Sequence, residues 1–285
     1  MNILVTGANG QLGRHLRLLS PKSGHNWLFT DIDELDITNP ANVTDYVHDR
    51  NISLVVNCAA YTNVDAAEQD EASAMSVNYG AVVNLAAALN EVGGTLIHFS
   101  TDYVFGGNPN NIPCDEEQQP NPTGAYGRTK LAGEQAALGC RSLVFRTSWL
   151  YSEYGRNFLL TMLRLTGERD EVRVVFDQVG TPTYAGDLAQ AVFSIVENGD
   201  YNGHTGIFNY SNEGVCSWYD FAHEIARQSG HTACRILPCH SSEFPSPVKR
   251  PAYSVLDKTK FKLTFHQEVP YWTEALERCL ANITL

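Results

Sequence analysis

The chain has 285 residues and sets 32 acidic side chains against 20 Lys and Arg, a net charge of −12, which argues against a nucleic-acid-binding surface. Hydrophobic residues make up 43% and charged residues 18%, enough to bury a core as one large or two small domains and too apolar for a disordered chain. No run approaches the ~20 apolar residues of a membrane span and no signal-peptide pattern opens the chain, so no membrane partner is expected; the seven scattered cysteines, without CxxC, read as free thiols of a reducing cytoplasm and not as metal ligands.

Asn2-Ile3-Leu4-Val5 reads as a short buried strand. Thr6-Gly7-Ala8-Asn9-Gly10-Gln11-Leu12-Gly13 follows, and Leu16, Leu18 and Leu19 then begin a helical pattern. Strand, glycine turn and helix start together point to a dinucleotide site. Gly7 and Gly10 can turn tightly and bring backbone N–H groups to a pyrophosphate, while Gly13 lets the helix lie close to the strand. The helix N-terminus adds partial positive charge. The spacing is GxxGxxG, not the commoner GxGxxG.

Residues 26–30 read as a second strand ending at Asp31. An acid there accepts from the adenosine ribose hydroxyls and repels a 2′-phosphate, which favours NAD(H). Asp33 and Glu34 are alternative carboxylates, and Arg14 and Arg17, near the phosphate end, pull toward NADP(H). Asp36-Ile37 leads to Asn39-Pro40, a stop before a helix over 41–49. Leu54-Val55-Val56-Asn57 is a third strand, and the small residues of Cys58-Ala59-Ala60-Tyr61-Thr62 allow a cofactor to lie against the backbone at its carboxyl end. A long helix is expected over 72–92, with Val77, Ala81, Leu85, Ala88 and Leu89 at helical spacing and Asn78 in a structural role.

A fourth strand, Thr95-Leu96-Ile97-His98-Phe99, ends in Ser100-Thr101-Asp102-Tyr103. After a loop over 109–123 comes Tyr126-Gly127-Arg128-Thr129-Lys130, in which Tyr126 and Lys130 share one helix face. Free tyrosine titrates near 10, too high for proton exchange at neutral pH. A neighbouring ammonium favours the phenolate and lowers that value. In carbonyl reduction the tyrosine then serves as general acid, with Thr101 able to donate to the same oxygen.

Leu143-Val144-Phe145-Arg146 is a fifth strand, and Trp149, just past its end, is expected in a pocket wall. A helix from Asn157, a strand over 172–175 and a helix over 185–196 follow, the last packing back on the nucleotide half. Ile207-Phe208-Asn209-Tyr210 is a strand, and Ser217 caps a helix running to about Ser229. Pro245, Pro247 and Pro251 surround Lys249 and Arg250, and two readings stay open: one of the two cations meets a diphosphate, or the segment is a solvated basic turn. A final helix over 271–281 sets Trp272, Leu276 and Leu280 in a packing stripe.

The glycine spacing with its leading Thr resembles the extended branch of the short-chain dehydrogenase/reductase superfamily. TGANGQLG at 6–13, NCAAYTNVDAAE at 57–68, STDYVFGG at 100–107, YGRTKLAGE at 126–134, FRTSWLY at 145–151 and DQVGTPTYAGDLA at 177–189 together resemble the dTDP-4-dehydrorhamnose reductase family over most of the chain. The resemblance implies that Tyr126 is the proton donor, Lys130 holds the nicotinamide ribose and Thr101 steadies the C4 oxygen. It places Asp102, Tyr103 and Trp149 against the sugar. It places Gly10, Gln11, Leu12, Asp31, Asp36, Ile37, Ala59, Ala60 and Tyr61 around NADP(H) or NAD(H). Some relatives are dimers bridged by magnesium through an acid early in the first helix. Here that position is His15, so no metal is expected, and the oligomer stays open between monomer and homodimer.

The expected architecture is α/β: a doubly wound, Rossmann-like parallel sheet with a smaller mixed C-terminal lobe that takes a sugar nucleotide. The nucleotide-binding part spans 1–149 with 185–198 packed on it, and the lobe spans 150–184 and 203–285. The resemblance implies reduction of dTDP-4-dehydro-L-rhamnose to dTDP-L-rhamnose. Two alternatives stay open: another extended-branch dehydratase or epimerase, and an NADP-binding regulatory subunit of methionine adenosyltransferase. The dehydratases have Thr-Asp-Glu at the Thr101 position, whereas Tyr103 follows Asp102 here.

Overall fold

The computed structural model describes residues 1–109, 111–244 and 246–283; Pro245 lies outside the described residues. Five apolar runs from the first half form strands β1 (Asn2–Thr6), β2 (Asn26–Phe29), β3 (Ile52–Asn57), β4 (Thr95–Thr101) and β5 (Ser142–Thr147). With β6 (Gly206–Asn209) they make one six-stranded sheet in the order β6-β5-β4-β3-β1-β2. Every pairing in it is parallel. The order reverses between β1 and β3, and the crevice outside the carboxyl ends there is where open α/β sheets take ligands.

Both sheet faces are apolar, as burial on two sides requires. Ile3, Val5, Leu54, Val56, Ile97 and Phe145 meet Leu12 and Leu16 of α1 (Gln11–Leu19) on one face. The alternating residues Leu4, Val55, Leu96 and Val144 meet Val43 and Val47 of α2 (Pro40–Asp49) and Leu85 and Leu89 of α3 (Ala81–Val92) on the other. Asn39 caps α2 through Oδ1, which accepts from the Ala41 and Asn42 amides. The helical run Glu71–Val92 is long and apolar enough to cross a membrane by composition. In the fold, Ala81, Val82, Leu85, Ala88 and Leu89 are fully buried against the sheet. The run is not one regular helix: Ser76–Gly80 is a wide π turn.

Helix α4 (Ala125–Ala137) carries the Tyr126-to-Lys130 motif. It lies so close to the π turn that a Cβ on Gly133 would fall 2.2 Å from the Asn78 carbonyl oxygen. The buried pair Arg146–Glu134 fixes α4 to β5, with Nη2 to Oε2 at 2.7 Å and Nε to Oε1 at 2.9 Å. The Ser100 hydroxyl donates to the same carboxylate at 2.5 Å.

In the lobe, α5 (Phe158–Glu168) and the helices Trp218–Gln228 and Trp272–Ala281 pack around Leu159, Met162, Phe221, Ile225, Trp272 and Leu276. Short strand pairs bind it: Glu171–Val175 with Arg235–Cys239 in parallel, and Val179–Gly180 with Cys216–Ser217 antiparallel. The helix Ala185–Asn198 returns to α1, with Leu188, Val192 and Ile195 in the first sheet-face core. One boundary of the sequence reading is corrected. The segment 203–285, assigned to the lobe, contributes β6 to the central sheet, paired with β5 from Gly206↔Leu143 to Asn209↔Arg146. Phe261 and Phe265 from the same segment also pack on Phe145 and Phe208. Four residues of β6 are too few to reveal which sheet they join; the free edge of β5 decides it.

Candidate active site

A cleft of about 1130 Å³ opens at the carboxyl ends of β1, β3 and β4 and runs to the lobe. Its floor is the glycine turn. Gly7 has φ +62°, and a Cβ there would fall 2.6 Å from the Ala59 amide nitrogen, so only glycine lets the two strand ends meet. Gly13 acts in the same way between α1 and the turn: its Cβ would fall 2.6 Å from Ala8 Cα. Gly10 is the α1 N-cap, with no side-chain cap and no acid in the first turn. The first amides of α1 are therefore open to an anion, as a dinucleotide pyrophosphate requires.

Gly7, Gly10, Gln11 and Leu12 line this end of the cleft, followed by Asp31, Asp36 and Ile37, and then by Ala59 and Ala60. Asp31 is also a loop tie: Oδ2 accepts from the Asn9 amide at 3.0 Å and Oδ1 from the Ile32 amide at 2.9 Å. Asp36 accepts from the Thr38 amide and hydroxyl, and these bonds hold its pKa below the usual value. Two expected residues stand behind the wall, outside the lining: Gly13 and Tyr61. The Tyr61 amide donates to Asn78 Oδ1 at 2.9 Å, and Asn78 Nδ2 donates to the Tyr61 carbonyl oxygen and to Thr129 Oγ1. Asn78 thus ties the cofactor loop to α4, the structural role its sequence position implied. Arg14 and Arg17 are engaged elsewhere, over the rings of Tyr154 and Phe29.

Thr101, Tyr126 and Lys130 all reach the cleft. The Thr101 hydroxyl hydrogen-bonds the Tyr126 phenol and donates to Asp102 Oδ1 at 3.1 Å. Lys130 Nζ is buried, and burial pushes its pKa down to about 8. The Tyr126 phenol is raised above the ordinary tyrosine value by burial, with the Thr101 hydrogen bond opposing. This differs from the sequence expectation, in which the lysine lowered it. Desolvation of the phenolate outweighs other influences, so at neutral pH Tyr126 holds the proton a general acid needs.

Asp102 borders the cleft but is only 2% exposed. Burial raises its pKa to about 6, although Ser254 donates to Oδ2 at 2.5 Å and Thr101 to Oδ1. Its contacts fit a residue that holds Thr101 better than one that meets a sugar. The Tyr103 hydroxyl accepts from Arg250 Nη1 at 2.8 Å, and Arg250 Nη2 pairs with Asp65 at 3.0 Å. Arg250 lines the cleft, and Lys249 lies outside it.

The lobe adds residues that sequence reasoning missed as site residues: Arg156, Asn157, Phe158 and Trp218. Asn157 Nδ2 and Ser152 Oγ both donate to Gln11 Oε1, at 3.0 and 2.9 Å, which joins the lobe to the start of α1. Trp149 lines the cleft, stacked on Trp218. The Ser217 cap signal located the Trp218 helix, but nothing local announced its approach to Trp149. His15 points inward between Tyr154 and Tyr184, with Nε2 3.2 Å from Glu153 Oε2. Burial lowers its pKa, and Glu153 opposes.

A profile described as the RmlD substrate binding domain matches residues 1–285. The chain is 40% identical to a dTDP-4-dehydrorhamnose reductase of Burkholderia thailandensis over 297 aligned positions, covering 99% of each chain. A dTDP-4-dehydrorhamnose reductase structure from Clostridium acetobutylicum matches with a TM-score of 0.94 at 41% identity, covering 99% of each chain. One from Bacillus anthracis, in complex with NADP, matches with a TM-score of 0.92 at 37% identity, covering 98% of each.

Proposed function

The chain belongs to the RmlD substrate binding domain family, and from that premise we propose how its cleft works as a dTDP-4-dehydrorhamnose reductase. The reaction is NAD(P)H-dependent reduction of the C4 ketone of dTDP-4-dehydro-L-rhamnose to dTDP-L-rhamnose. The reduced nicotinamide, when bound, supplies hydride to the carbonyl carbon. Tyr126 gives its phenolic proton to the oxygen as negative charge develops there. Thr101 hydrogen-bonds that oxygen, and the Lys130 ammonium stabilises the phenolate left behind. The open amides of α1 take the cofactor pyrophosphate, with Asp31 and Asp36 toward its adenosine end. Arg250, between the lobe and Tyr103, is the cation placed for the substrate diphosphate. The nucleotide-binding part and the lobe, with β6 reassigned to the former, close on the sugar from two sides. No disulfide joins the seven cysteines among the described residues, which supports a reducing, cytoplasmic setting.

The observation that carries this reading is the convergence of Thr101, Tyr126 and Lys130 beside the glycine crevice. An epimerase would retain its cofactor through turnover, and a dehydratase needs an acid where Tyr103 stands. The test is absorbance of the reduced nicotinamide with dTDP- and UDP-4-keto-6-deoxy sugars in turn. Oxidation in proportion to dTDP-sugar is expected. A folded, cofactor-binding protein that oxidises none with either sugar overturns the assignment.

A further inference from the structure

Trp149 has a left-handed backbone, φ +49°, a conformation a bulky residue adopts only when its surroundings impose it. Its indole lies parallel to that of Trp218, with ring centroids 3.6 Å apart and 9° between the planes. The same ring abuts Gly180, where a Cβ would fall 2.8 Å from Cε2, 2.9 Å from Cζ2 and 3.0 Å from Nε1. Trp218 and Gly180 arrive as one unit. Cys216 pairs with Gly180 and Ser217 with Val179. Ser217 and Asp220 form a capping box that sets Trp218 as the first residue of its helix. Phe158 tilts onto Trp218 from the start of α5, at 4.5 Å. All three rings border the cleft.

We propose that Trp218 is a positioning residue: with Gly180 it clamps the Trp149 indole, which then presents a fixed apolar wall to the hexose of the substrate. The proposal rests on the sugar-nucleotide reading above. A 6-deoxy sugar offers a methyl group and C–H faces, and an aromatic plane suits such a surface only if the ring cannot turn away. Trp218 need not touch the sugar to matter; it sets where Trp149 stands.

The test is steady-state kinetics of W218A, W218F and G180A beside the wild type, with near-ultraviolet circular dichroism of each. W218A is expected to raise KM for the keto-sugar nucleotide about tenfold, the scale of one lost aromatic pair, with KM for the cofactor unchanged. W218F keeps a ring in place and recovers most of the loss. G180A adds a Cβ against the Trp149 ring, leaves Trp218 intact and gives the same selective rise in KM. The spectral signature of coupled indoles is expected in the wild type and absent from W218A and W218F. A wild type without turnover removes the sugar-nucleotide reading, and a missing indole signature then removes the clamp on its own. A wild type that turns over, with G180A at wild-type KM for the sugar, overturns the clamp even if W218A fails to fold.

Discussion

Lys130 Nζ donates to the Phe99 carbonyl oxygen at 2.6 Å, which tethers the ammonium to the strand whose end carries Thr101. The bond satisfies one donor of a side chain that has lost its water, and burial pushes its pKa down to about 8. The ammonium is thus present at neutral pH and lost as pH rises through about 8. The expected kcat for reduction falls over that range, and K130M lacks this limb and turns over on the order of a hundredfold more slowly. Unfolded lysine titrates near ~10.4, so between those values the unfolded chain binds the extra proton and wild-type stability rises with pH. Urea unfolding at pH 8 and pH 10 checks the sign, with the wild type gaining on K130M. A flat kcat profile across pH 7–9 contradicts the assignment.

Tyr126→Phe removes one oxygen from the cleft. It is expected to lower kcat by roughly a hundredfold or more, the range for loss of a positioned general acid, while cofactor affinity is retained. Single-turnover rates and a fluorescence titration with reduced cofactor separate the two. Turnover equal to wild type refutes the acid assignment.

Asp102 is buried, and its pKa of about 6 lies above the ~3.9 of unfolded aspartate. Its favourable contribution is complete below ~3.9 and disappears as pH rises through about 6, because the folded state holds the proton longer. D102N has no such titration. The wild type is therefore expected to lose stability relative to D102N between pH 4 and pH 7, by on the order of 3 kcal/mol for a two-unit gap. Denaturant midpoints at both pH values measure it, and a pH-independent difference contradicts the prediction.

Arg146 and Glu134 are 2% and 1% exposed at their side chains, with Nη2 and Oε2 2.7 Å apart. R146M leaves the Glu134 carboxylate buried without its partner, which is expected to cost roughly 3–5 kcal/mol. The double variant R146M/E134L removes both charges and is expected to recover much of that loss. Urea unfolding of the three proteins decides it, and a single variant as stable as wild type refutes the prediction.

The nucleotide half was legible because its signals are contiguous. Asn2 to Gly13 writes strand, turn and helix start within one stretch, and the close approaches its glycines imply hold at Gly7, against Ala59, and at Gly13, against Ala8. Tyr126 and Lys130 lie one helical turn apart, so their shared face follows from the helix alone. The Ser217 cap and the Trp272–Leu276 stripe were readable for the same reason. The tie between Tyr61 and Asn78 was not legible, because the Tyr61 backbone amide and carbonyl meet a side chain 17 positions on that also reaches Thr129 of α4.

What the sequence determined by itself was therefore the order of the elements, the glycine-lined crevice and the phenol–ammonium pair, all set by steric and periodic rules within short spans. The tertiary structure decided the rest: that Gly206–Asn209 completes the sheet, that Arg250 and not Lys249 lines the cleft, that Trp218 stacks on Trp149, and that burial keeps Tyr126 protonated. Each of these depends on which distant segment removes water from a group, and desolvation is a property of the assembled fold and not of the neighbours in the chain.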